Sequence, residues 1–136
     1  YFGENYEVKL THVHNKGLTL TNSSQGDNAP VIFQLKSSEG TIIANEVIAS
    51  LEFAAGDGGS GGGDGFEVAA GIHAIGEASF SSTANPTSLV FTTGVSETAA
   101  ASATAKMTLT SAGNLNVVGE LEMRGESIEA FIWAIS

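Results

Sequence analysis

Cysteine is absent from the 136 residues, which removes disulfides, thiolate metal sites and thiol catalysis together and makes stability independent of redox state. Positive charge is nearly as scarce. Five Lys and Arg against fifteen Asp and Glu leave a formal net charge of −10, too little basic surface to neutralise a run of phosphates or to hold an anionic lipid surface. These counts exclude nucleic-acid binding from the expected functions. Long apolar runs are missing as well: no stretch reaches the length of a bilayer span and no charged-then-apolar leader opens the chain, so a soluble chain without membrane insertion is expected. Helical periodicity is hard to find anywhere.

What is present is short-range alternation. Val, Ile, Leu and Phe are spread among Ala, Gly, Ser and Thr, a pattern that suits narrow strands in small-residue contact. Tyr6, Val8 and Leu10 alternate with Glu7, Lys9 and Thr11, and this strand is expected to run on through Val13. Asn15-Lys16-Gly17 supplies a tight turn into Leu18 and Leu20, completing a hairpin. After the polar loop Asn22 to Asn28, Pro30 marks the start of a strand with Val31, Phe33 and Leu35 on one face. Ile42 and Ile43 suggest a short strand and Ala44-Asn45-Glu46 a helical turn, before Val47, Ala49, Leu51 and Phe53 alternate.

Gly56 to Gly65 reads as a flexible loop and Phe66 to Ile75 as a long strand whose small residues let another backbone come close. Gly76 to Pro86 is a polar connection with Phe80 as an anchor, and Thr98 to Thr104 is a loop or one helical turn. The best-defined block runs from Ser88 to Leu121. In it, strands at Leu89 to Thr92, Lys106 to Thr110 and Leu115 to Val118 are expected, with Ser111-Ala112-Gly113-Asn114 turning the last pair. The closing Phe131-Ile132-Trp133-Ala134-Ile135 is apolar on both faces, so it is expected to be buried, self-associated or docked on a symmetry mate, with Phe131, Trp133 and Ile135 expected at an interface. The chain is therefore read as all-β, one compact antiparallel β-sandwich or barrel-like module: N-terminal strands to residue 55, a glycine loop at 56–65, the main β block at 66–121 and an apolar tail at 122–136.

Candidate chemistry is sparse. Gly56-Asp57-Gly58-Gly59-Ser60-Gly61 satisfies G-x-G-x-x-G, but a strand follows where a dinucleotide site needs a helix, so a connector is the better reading. His12 and His14, one residue apart on a strand, would point to the same side; repeated around a threefold axis, the pair would offer six nitrogens to a divalent transition metal. The simpler alternative is an exposed polar strand face, with no cofactor. His73, flanked by Ala, reads as a hydrogen-bonded strand residue. Glu67, Glu77, Glu97, Glu120, Glu122, Glu126 and Glu129 read as a solvated acidic face, and no Ser-His-Asp order or metal-plus-base motif marks an enzyme.

The residues Leu89-Val90-Phe91-Thr92-Thr93-Gly94, Lys106-Met107-Thr108-Leu109, Ser111-Ala112-Gly113-Asn114-Leu115, Val117 and Gly119 resemble modules repeated in tail-fibre and other virion fibre proteins of marine bacteriophages, cyanophages in particular. The resemblance covers most of the chain. It is strongest from Leu89 to Gly119 and also touches Thr11-His12-Val13 and Gly17 to Asn22. It implies a non-enzymatic structural component of a phage particle, a homotrimer that meets other virion proteins, is assembled in the host cytoplasm and then becomes extracellular. Such a module spaces or presents a host-contacting surface. The alternative from another class is a carbohydrate-binding or adhesin module recognising a host surface glycan, where Trp133, Tyr1 and Tyr6 would stack on sugar rings.

Overall fold

The computed structural model describes residues 8–54, 67–95, 98–123 and 126–127. Every regular element among them is a strand, and every pairing is antiparallel. The chain divides into two compact units, residues 1–34 and 35–136.

The first unit is built on a hairpin. Strand β1 (Val8–Val13) pairs with β2 (Gly17–Asn22) in continuous register from Val8↔Asn22 to Val13↔Gly17. Asn15 takes a left-handed φ of 60° in the turn, a conformation that asparagine tolerates, and Lys16 N–H closes it on the Val13 carbonyl at 3.0 Å. Beyond β2 the Asn22 side chain holds the loop at both ends: its amide donates to the Pro30 carbonyl at 3.1 Å and its oxygen accepts from Ser24 N–H at 2.9 Å. The strand expected from Val31 to Leu35 does not form. The segment has strand-like residues, but it makes no ladder, and Val31, Ile32, Phe33 and Leu35 stand exposed. β-propensity reports how side chains fit a pleated surface and cannot create a pairing partner.

The second unit carries a five-stranded meander, β3 (Val47–Ala54), β4 (Val68–Gly76), β5 (Thr87–Thr93), β6 (Met107–Leu109) and β7 (Leu115–Val117), with neighbours in sequence order. Two short strands, β8 (Glu122–Met123) and β9 (Glu126–Ser127), pair separately. Ile42 and Ile43 lead into a turn rather than a strand: Asn45 has φ 67°, its N–H donates to the Gly76 carbonyl at 2.7 Å, and the Glu46 carboxylate accepts from Ile43 N–H at 2.7 Å. Ile42 is then buried beside Gly76, and its carbonyl takes the Phe80 N–H at 2.9 Å, which anchors the 77–86 connection. Gly113, at φ 83°, supplies the left-handed residue of the β6–β7 turn.

Cross-strand register sorts the sheet into two faces. One carries the row Ser50, His73, Val90, Thr108, Asn116, with Gly71 and Thr92 beside it. The other carries Ala49, Ala74, Leu89, Leu109, Leu115, then Leu51, Ile72, Phe91, Met107, Val117, then Phe53, Ala70, Thr93. The polar-looking face is the buried one. Among the described residues, Val90, Thr92, Ser88 and His73 are buried there, while Leu51, Phe53, Leu89, Leu109, Leu115 and Val117 on the opposite face are exposed.

Candidate functional site

The most elaborate arrangement of polar groups surrounds His73, in the middle of β4 and with none of its surface exposed. Register brings Ser50 of β3 to one side of it, and Thr92 of β5 stands one position along on the other side, opposite Gly71. The connection from β5 to β6 folds back over this face, held by Gly94 N–H on the Ala69 carbonyl at 2.9 Å and Ala99 N–H on the Val68 carbonyl at 2.6 Å. This sets the fully buried Ala99 above the imidazole.

Hydrogen-bond directions assign the ring proton. Thr92 O–H donates to the Ala99 carbonyl, so Thr92 Oγ1 must accept from His73 Nε2–H, 2.9 Å away. The Ala99 carbonyl oxygen lies 3.3 Å from the same nitrogen as a second acceptor. In the neutral imidazole Nδ1 is then the acceptor and takes the Ser50 O–H at 2.8 Å. Every polar atom is matched, and no described buried side-chain nitrogen or oxygen lacks a partner. Gly71 is what lets the ring lie flat on the sheet. A Cβ there would overlap Nε2 and Cε1 of His73 and stand 3.1 Å from the Ala99 oxygen.

A serine bonded to a histidine has the outline of a nucleophile and its base. The surroundings differ from that template. The ring is oriented by a threonine and a carbonyl rather than by a carboxylate, and with no exposed surface it cannot hand a proton to a leaving group. What the arrangement does is tie three strands and a loop together at one buried point.

The sequence placed His73 correctly as a hydrogen-bonded strand residue. It did not find Ser50, Gly71, Thr92 or Ala99, which lie up to 26 positions from His73 and meet it only once the register is known. His12 and His14 fall differently from the expected pair: His12 is on β1 opposite Leu18, whereas β1 ends at Val13 and His14 is the first residue of the turn. Both are exposed. Among the described residues no group of three or more His, Asp or Glu side chains is placed to hold a metal ion. Phe131, Trp133 and Ile135, and the glycine loop 56–65, lie outside the described residues.

Of the acidic residues, Glu77 has a structural task. Its carboxylate, at the start of the β4–β5 connection, accepts from Ser111 N–H at 3.0 Å and from Ser111 O–H in the β6–β7 turn. These bonds favour the ionised form and hold its pKa below the usual glutamate value. No helix among the described residues is long and apolar enough to cross a membrane. Searches against protein-family models, curated proteins and solved structures find no match to this chain.

Proposed function

We propose that the chain is a non-enzymatic structural module that works as one of three identical copies in a virion-surface fibre, where it spaces or presents a host-contacting surface. The observation that carries the structural, assembled role is the open face of the β3–β7 sheet. The described buried apolar residues are Ile42, Val90 and Ala99, while Leu51, Phe53, Leu89, Leu109, Leu115 and Val117 lie side by side in water. Contiguous apolar surface of that kind belongs at a contact. The viral context comes from the resemblance of the Leu89–Gly119 block to fibre modules. The histidine cluster supports the non-enzymatic reading, because it offers a substrate no approach to the ring.

Sedimentation or light scattering of the purified chain at micromolar concentration tests the proposal. A trimer is expected. A stable monomer with a cooperative melt would overturn the assembled role, and turnover of a host polysaccharide would overturn the non-enzymatic one.

A further inference from the structure

We infer that residues 31–36 form a cleavage site for an endopeptidase that accepts a large apolar side chain, with the bond after Phe33 as the one it hydrolyses. The site is independent of the assembly proposed above. Three observations carry it.

The first is the state of the main chain. Residues 29–39 run without a turn or a bend, and no hydrogen bond among the described residues uses the backbone of residues 31–36. The segment is held only beyond its ends: the Asn22 amide donates to the Pro30 carbonyl at 3.1 Å, and the Ser37 hydroxyl oxygen accepts from Glu39 N–H at 3.1 Å. A protease cleft takes its substrate as an added strand, through the substrate's own N–H and C=O groups. In a ladder those groups must first be freed by local opening. Here they are available in the folded chain.

The second is what the side chains present. Phe33 is 73% exposed in the middle of the segment, flanked by the exposed Ile32 and Leu35. No acidic residue lies between Asp27 and Glu39, although the chain carries a net charge of −10. A pocket for an aromatic ring therefore meets no carboxylate on either side of the bond.

The third is position. The boundary between the two compact units falls between Gln34 and Leu35, one residue beyond the bond in question. A cut after Phe33 divides no strand: one product carries β1 and β2, the other β3 to β9. Exposed joins between units are where nicking concentrates. In the reaction water adds across the Phe33–Gln34 peptide bond and the C–N bond breaks. Phe33 becomes a carboxylate and Gln34 an ammonium, both protons of the water ending on the nitrogen.

Phe53 makes the test sharp, because it is also exposed, at 53%, but its backbone is paired with Ala70 across the β3–β4 ladder. Dilute chymotrypsin, whose pocket is a hydrophobic slot, is added to the folded, intact chain and the fragments are identified by mass. Cutting after Phe33 is expected to be at least about a hundredfold faster than after Phe53, Phe80 or Phe91, which need opening first. An equal or faster cut at any of those three overturns the inference, as does a chain left intact at Phe33. Gln34→Pro replaces an N–H that bonds to nothing described and puts a ring on the nitrogen the protease must release, so cutting after Phe33 should slow at least about tenfold. Undiminished cutting there overturns the inference. Trypsin supplies an independent reading on the parent chain: Lys36 is expected to be cut before Lys16, which is also exposed but sits in the closed turn of the β1–β2 hairpin. The reverse order overturns it.

Discussion

The two faces of the β3–β7 sheet solve the same burial problem in opposite ways. On one, a histidine, a serine, a threonine and a carbonyl bond to one another in a single directed chain, and a loop of the same polypeptide covers them. On the other, larger and more apolar side chains stand uncovered. A hydrogen-bonded cluster is particular: each donor needs one acceptor at one distance, and an unmet group costs about 1–3 kcal/mol, so a chain can satisfy such a face from within. Apolar surface is unselective and accepts any well-shaped cover. The polar face therefore fixes the fold of one chain, and the apolar face is where association gains most.

The strongest way to break this contrast is to empty the polar face. His73→Ala removes the ring, leaves a cavity and takes from the Ser50 hydroxyl its acceptor and from Thr92 Oγ1 its donor, so a loss of about 3–5 kcal/mol is expected from cavity and unmet bonds combined. A thermal melt checks it, and an unchanged midpoint would show that the cluster is not what holds the sheet. Next in size is Gly71→Ala. The added methyl overlaps a ring that three hydrogen bonds keep in place, so about 1–3 kcal/mol should be lost, with little of it recovered by relaxation.

Changes on the apolar face should behave differently. Leu51→Thr puts a strand-favouring β-branched residue at an exposed position and should change the stability of the single chain by no more than about 0.5 kcal/mol. Its effect should appear in assembly, as a melt whose midpoint falls more steeply on dilution than that of the parent. Equal dilution curves would erase the distinction between the faces. The smallest effect belongs to Glu77, on the exposed rim. Because its folded pKa lies below its unfolded value, its bonds to Ser111 contribute fully above the unfolded pKa of about 4.5 and are lost as pH falls through the folded one. Parent and Ser111→Ala melts should thus differ slightly at neutral pH and converge in acid; a difference that grows toward low pH would reverse the assignment.

Much of the meander was legible beforehand. Alternation located β3, β4, β5, β6 and β7 to within a residue or two, because each strand shows one consistent set of side chains to each face, and Gly113 announced its turn. Alternation says which residues share a face, and it stops there. It does not say which of the two faces is covered: Leu89 and Leu109 are exposed, whereas burial in this chain lies with Val90 and Thr92 on the other side. Val31 to Leu35 failed for a related reason: its composition suits a strand, but it pairs with no described strand. The site was less legible still. Ser50 and Thr92 look like ordinary strand hydroxyls, and only the antiparallel pairings of β3 and β5 with β4 bring them to one imidazole.

The directed bonds around His73 also bear on how the sheet comes apart. Ser50, His73, Thr92 and Ala99 belong to three strands and the loop that follows them, so neither the β3–β4 hairpin nor the β4–β5 hairpin can complete the cluster alone. An intermediate with any one of these pieces loose would hold a buried polar group with nothing to bond. That penalty suppresses piecemeal fraying and joins β3, β4, β5 and the Ala99 segment into a single cooperative unit, whose central amides should exchange with solvent together at one common free energy of opening.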